Sequence, residues 1–385
     1  MARKDIGRKP SEMDMLLSPS RGLQGGDEDV VSLRSPEVQQ RFRQHIDGKL
    51  RKWATAHFVK AISLEQRTRR DEEMGIILLD LRKLREGITS IRRVDQFACE
   101  VYEASVLLSL FASNTPQLAS SLPPLVLNLH SATRSATAEA RPEPLATALS
   151  SLSISSSSPA TRTDSATIAF YLTLHLLHSH LMPAYASPSN TSTLSGVAIS
   201  APPLSTFLPS LFSRLRAAHL PQPTFAPTHL GSYTHVDLSI RFLLALCSAL
   251  VRNSYSSLAR LLASIPIPPP AVNAHATALH LPPSFSPLAA LLRSFVPTMR
   301  ARAWATVERA YRFPPDQAGW LADGLLFSLE AEADQTQHVR AGSSTKLTES
   351  ESWEDAERVG EQAWRVEAER RAVEWVQGKK GSAVR

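Results

Sequence analysis

Between Met74 and Phe111 the apolar residues return every three or four positions, and that spacing commits the chain to packed amphipathic helices. Met74, Ile77, Leu78, Leu81, Leu84, Ile88 and Ile91 fall on one side of a first helix, with Arg82, Lys83, Arg85, Arg92 and Arg93 elsewhere. From Gln96 to Phe111 the stripe Phe97, Val101, Ala104, Leu108 and Phe111 is joined by Tyr102, Val106, Leu107 and Leu110. This second helix is apolar on more than one side and is expected to lie centrally, against the first. Strand patterns are few along the whole chain, so the expected class is mainly α.

A chain of 385 residues that is 43% hydrophobic can bury the core of one or two domains. It carries 15 glycines against 27 prolines, which argues against phosphate-cradling and dinucleotide folds, where glycine lets the backbone approach a ligand. The net charge of +6 suits an acidic partner or a nucleic acid. Between residues 110 and 300 only four acids stand against ten arginines. Cys99 and Cys247 each sit in an apolar helical pattern, which suits buried thiols in a reducing compartment, cytosolic or nuclear. No apolar run follows Met1-Ala2-Arg3-Lys4-Asp5, and the longest apolar stretch, 242–251, is too short to span a bilayer, so neither secretion nor membrane insertion is expected.

Composition divides the chain. Residues 1–34 mix Gly, Ser, Pro and charges without periodicity and read as a disordered arm. Ser35-Pro36-Glu37 reads as a helix start opening a basic helical segment over 35–70. Residues 71–285 read as a helical-repeat domain, with helices at 166–181, 205–218 and 236–264, the last divided into two antiparallel helices at Asn253-Ser254. Ser- and Pro-rich insertions interrupt it near 131–165, 183–204 and 265–285. A long helix over 287–312, with a break at Pro297, leads into the region 286–340, and a charged helix and tail over 351–385 carry Trp353, Trp364 and Trp375 at spacings that place them on one face.

Candidate chemistry is sparse. His175, His178 and His180 form the most suggestive metal-ligating cluster, since His175 and His178 are spaced to share a helix face, yet no cysteine or Glu-x-x-His partner lies nearby. A metal-dependent hydrolase using them is the reading of a different class. No Gly-x-Ser-x-Gly, His-Glu-x-x-His or P-loop pattern occurs, and no catalytic residue, cofactor or metal site is assigned. Arg82, Lys83 and Arg85, and further along Arg300, Arg302, Arg309 and Arg312, are the candidate phosphate contacts, read against the alternative of solvated helix faces.

Three stretches together resemble the GANP-type branch of the PCI proteins, which includes the leukocyte-receptor-cluster-like branch. The first is Leu81-Arg82-Lys83-Leu84-Arg85-Glu86-Gly87-Ile88-Thr89 followed by Glu100-Val101-Tyr102-Glu103-Ala104. The second is Tyr255-Ser256-Ser257-Leu258-Ala259-Arg260-Leu261, after an Asn-containing turn. The third runs through Phe295-Val296, Arg300, Ala303, Val307 and Tyr311-Arg312 to Leu321-x-x-x-Leu325-x-Phe327. They cover about half the chain, in pieces.

The resemblance implies a right-handed helical-repeat solenoid followed by a winged helix, reduced here because Glu330–Gln337 is polar where the family continues into the wing. It implies a non-catalytic nuclear scaffold, present also in the cytoplasm, that couples transcription or splicing to mRNA processing and export. The implied partners are another PCI subunit, through Trp320, Leu321, Leu325 and Phe327 of the winged helix, a small acidic disordered protein, and RNA. A PCI subunit of the proteasome lid, signalosome or translation-initiation complex is the alternative within the same structural class.

Overall fold

A computed structural model describes residues 32–57, 64–133, 165–181, 235–251, 254–296 and 299–300, with residues 13, 16, 213 and 370 singly. Helix makes up 82% of the interpretable part and no strand occurs among the described residues, so the chain is mainly α. The helices are α1 (Pro36–His57), α2 (Leu64–Ser90), α3 (Gln96–Phe111), α4 (Thr115–Pro124), α5 (Ser165–Leu176), α6 (His235–Val251), α7 (Tyr255–Ala263), α8 (Pro270–Ala278) and α9 (Pro287–Arg293). Two π-helical turns, Leu125–Leu129 and Leu177–Leu181, extend α4 and α5. Among the described residues no helix is long and apolar enough to cross a membrane.

Two compact units emerge. The first is built from residues 1–175, 217–220 and 268–287, and the second from the remaining segments. In the first unit α3 is the axis, packed by α2, α4, the first π turn and α8, and all its residues from Ala98 to Leu110 except Glu100 are buried. α1 lies along α2 through Val38, Phe42, Ile46, Leu50 and Trp53, a stripe at helical spacing. Polar clasps fix their register: Lys49 Nζ donates to Asp80 at 2.7 Å, Trp53 Nε1 to the Arg70 carbonyl at 3.1 Å, and His57 meets Glu73 at 2.9 Å. Trp53, Phe111 and Phe285 continue this as an edge-to-face chain from α1 through α3 to the segment after α8.

Helix ends show why the chain turns where it does. Asp95 caps α3 by accepting from the Ala98 N–H, and Asn114 caps α4 by accepting from Gln117 N–H. α2, α3 and α8 each end in a left-handed residue, Arg92, Ser113 and His280, with the N–H that follows reaching back five residues to Ile88, Ser109 and Ala276 carbonyls. At α4 the prolines Pro123 and Pro124 remove two N–H donors, and the backbone proceeds as a π turn in which His130 N–H bonds to the Leu125 carbonyl.

Several expectations are revised. The basic segment read over 35–70 is not one helix: α1 ends at His57, and residues 64–70 open α2. The arm read over 1–34 is packed at its end, since Leu33 is buried and its carbonyl accepts from Gln39 Nε2 at 2.8 Å. The Pro-rich break at 265–285 contains α8, whose Pro270 opens a helix because an N-terminal proline forfeits no internal hydrogen bond. α9 closes at Arg293, before Pro297, through three-residue bonds from Ser294 and Phe295 to the Leu291 and Leu292 carbonyls. In the second unit α6 and α7 form a hairpin turned by Ser254, whose N–H reaches the Ala249 carbonyl. Residues 205–218 other than 213, together with 301–369 and 371–385, lie outside the described residues.

Candidate functional site

The most unusual chemistry in the described structure is a carboxylate in the core of the first unit. Glu103, on α3, is 3% exposed, and each oxygen is held by a different histidine. His130 Nε2 meets Oε1 at 3.1 Å and His275 Nδ1 meets Oε2 at 3.1 Å, and both rings are buried. Each imidazole supplies one N–H to one carboxylate oxygen, so the acid stays ionised. Burial pushes the Glu103 carboxyl up, but the two histidine hydrogen bonds and their positive field outweigh it and hold the group at about 2.

Local structure delivers each partner. The π turn at Leu125–Leu129 inserts one residue into the helical phase and rotates His130 relative to the α4 pattern. His275 arrives from α8, 172 residues along the chain from Glu103. The Tyr171 ring of α5 lies 5.5 Å from the His130 ring, tilted by 55°. One turn before Glu103, Cys99 Sγ lies 3.8 Å from Thr133 Oγ1, and burial pushes its thiol up to about 12. A thiol kept protonated is a poor nucleophile. His130 Nδ1, on the far side of the ring from Glu103, is buried and makes no hydrogen bond. Among the described residues no group of His, Cys, Asp and Glu is arranged to hold a metal ion. With both carboxylate oxygens engaged, the arrangement is suited to fastening α3, the π-turn helix and α8 together.

The candidates read from sequence are dispersed. Arg82 is exposed and paired with Glu86 at 2.9 Å, and Lys83 is half-buried beside Asp80 at 3.3 Å. Arg85 departs from the expected basic surface: it is 5% exposed, turned toward α3 and α4, and donates through Nη2 to Gln117 at 2.7 Å and Ser120 at 3.1 Å while lying over the Tyr102 ring. Desolvation lowers its pKa, and a phosphate cannot reach it without opening the core. Arg300 is likewise buried. Arg302, Arg309, Arg312, Trp320, Leu321, Leu325 and Phe327 lie outside the described residues. His175 is buried at the end of α5, His178 is half-buried with its pKa lowered by desolvation, and the His180 side chain lies outside the described residues.

Comparison with protein families, with curated proteins and with solved structures gives no match.

Proposed function

We propose that the chain is a non-catalytic helical scaffold of the PCI type, a solenoid with a reduced winged helix, that positions partners in a nuclear complex coupling transcription or splicing to mRNA processing and export. The observation that supports this reading is that polar residues of the first resembling stretch lock helices together. Thr89 Oγ1 and Tyr102 Oη lie 2.9 Å apart across the α2–α3 hairpin, Arg85 ties α2 to α4, and Glu103 ties α3 to α8. Such residues serve a rigid frame, and a scaffold works by rigid positioning.

In this reading another PCI subunit docks on the winged-helix residues Trp320, Leu321, Leu325 and Phe327, and a small acidic protein is drawn by the positive balance. RNA contact falls to Arg302, Arg309 and Arg312 with Arg82 and Lys83, because Arg85 and Arg300 are buried. The test is purification of the tagged full chain with identification of co-purifying proteins. Another PCI subunit together with nuclear mRNA factors is expected; a proteasome-lid or initiation-factor set without them would sink the assignment.

A further inference from the structure

α2 has two faces. Met74, Ile77, Leu78, Leu81, Leu84, Arg85 and Ile88 are buried, while Ile76 and Leu79 stand 53% exposed on the opposite side. With 3.6 residues per turn, the buried set and the seam Arg69, Glu72, Ile76, Leu79, Lys83, Glu86 lie about 170° apart. The seam advances by alternating steps of three and four, the spacing by which one helix packs along another. Gly75 flanks it, with nothing within 4 Å of where a Cβ would stand.

The charges on this face are antisymmetric about its apolar centre. A two-fold axis midway between Ile76 and Leu79 sets Ile76 of one copy against Leu79 of the other. The same axis sets Glu72 against Lys83 and Arg69 against Glu86, so the charged positions along the seam meet the opposite sign. A parallel arrangement would instead set each charge against itself. Several of these groups already bond within the chain, Arg69 with Glu73, Arg82 with Glu86 and Lys83 with Asp80, and the second copy would extend those pairs into networks across the interface.

We infer that the outer face of α2 is a self-association surface, and that its partner is a second copy of this chain docked antiparallel along α2. The seam from Arg69 to Glu86 is about 26 Å long. A helix pair of that length buries less than a standard stable interface, so the association is weak, in the range of about 10–300 µM, and falls with salt.

Sedimentation equilibrium on the full chain should show a mass rising above the 42.2 kDa monomer across that range. Leu79→Glu and Glu72→Lys, both at exposed positions, should each weaken association about tenfold or more with unchanged circular dichroism. A mixture of Ile76→Cys and Leu79→Cys proteins, mildly oxidised, should form mixed disulfides in preference to either homodimer, since only the antiparallel axis sets these two positions opposite. A constant monomer mass, association indifferent to both charge variants, or a preference for homodimeric disulfides would each overturn the inference. So would an Ile76→Cys thiol shielded within the monomer, which would mean that another part of the same chain covers the face.

Discussion

A carboxylate in a helical core is tolerable only when each oxygen finds a donor, and Glu103 recruits its donors from 27 and 172 residues away. The carboxyl titrates at about 2 in the folded chain against an ordinary value of 4.5. A depressed folded-state pKa means that the unfolded chain binds the proton more readily. Glu103 therefore contributes stability that is fully present above about pH 4.5 and is lost as the pH falls toward about 2. Glu103→Gln keeps the shape but offers one histidine an amide N–H in place of an acceptor. It should cost on the order of 3 kcal/mol at neutral pH, and the urea midpoint of the variant should fall less steeply with acid between pH 4.5 and 2. Parallel acid limbs for the two proteins would show that the carboxylate carries no such linkage. Nothing local in the sequence marks this site. Glu103 sits in the Glu-Val-Tyr-Glu stretch, but isolated histidines in apolar surroundings carry no sign of a shared partner so far along the chain. The burial of Arg85, by contrast, was readable, because its helical phase matches that of Leu78 and Leu81; its charge suggested a surface role instead.

At the scale of elements, periodicity located α3 to the residue, because a helix buried on nearly all sides leaves a continuous apolar pattern. It was silent on α4 and misread α8, since prolines at 116, 123, 124 and 268–270 look like breaks. A proline in the first turn of a helix, or one followed by a π turn, does not end it. Close approaches between elements are equally hidden in sequence. Gly87 of α2 lies under the segment that enters α1, where an added Cβ would stand 2.6 Å from the Leu33 carbonyl oxygen and 3.0 Å from its Cβ. That carbonyl cannot easily give way, because Gln39 Nε2 holds it, and Gln39 is in turn held by Arg93 Nη1 at 3.0 Å. Gly87→Ala should therefore destabilise by about 1–3 kcal/mol. Gly48→Ala on α1, where a Cβ meets nothing within 4 Å, should stabilise by about 0.5–1 kcal/mol through helix propensity alone. Urea melts of both variants check the contrast. Equal, stabilising shifts would mean that residues 32–35 do not pack on α2.

The whole molecule is two compact units threaded by one chain more than once. The first unit needs residues 268–287, yet the chain reaches them from α7 and leaves them into α9, both built into the second unit. α8 is thus held to α3 by His275 and Glu103 at 3.1 Å, while its flanks run through residues 264–269 and 279–286 into the other unit's helices. A segment shared in this way makes it costly for one unit to open while the other stays folded, and a single cooperative transition follows. The two cysteines report it, one from each unit: Cys99 and Cys247 are both buried free thiols, pushed up to about 12 by burial. Both should resist a thiol reagent in the native chain and become reactive at one urea concentration. Glu103→Gln, which acts directly only in the first unit, should lower that midpoint equally for Cys99 and Cys247. If only the Cys99 midpoint moves, the tethers on either side of α8 do not transmit stability, and the units unfold independently despite sharing the chain.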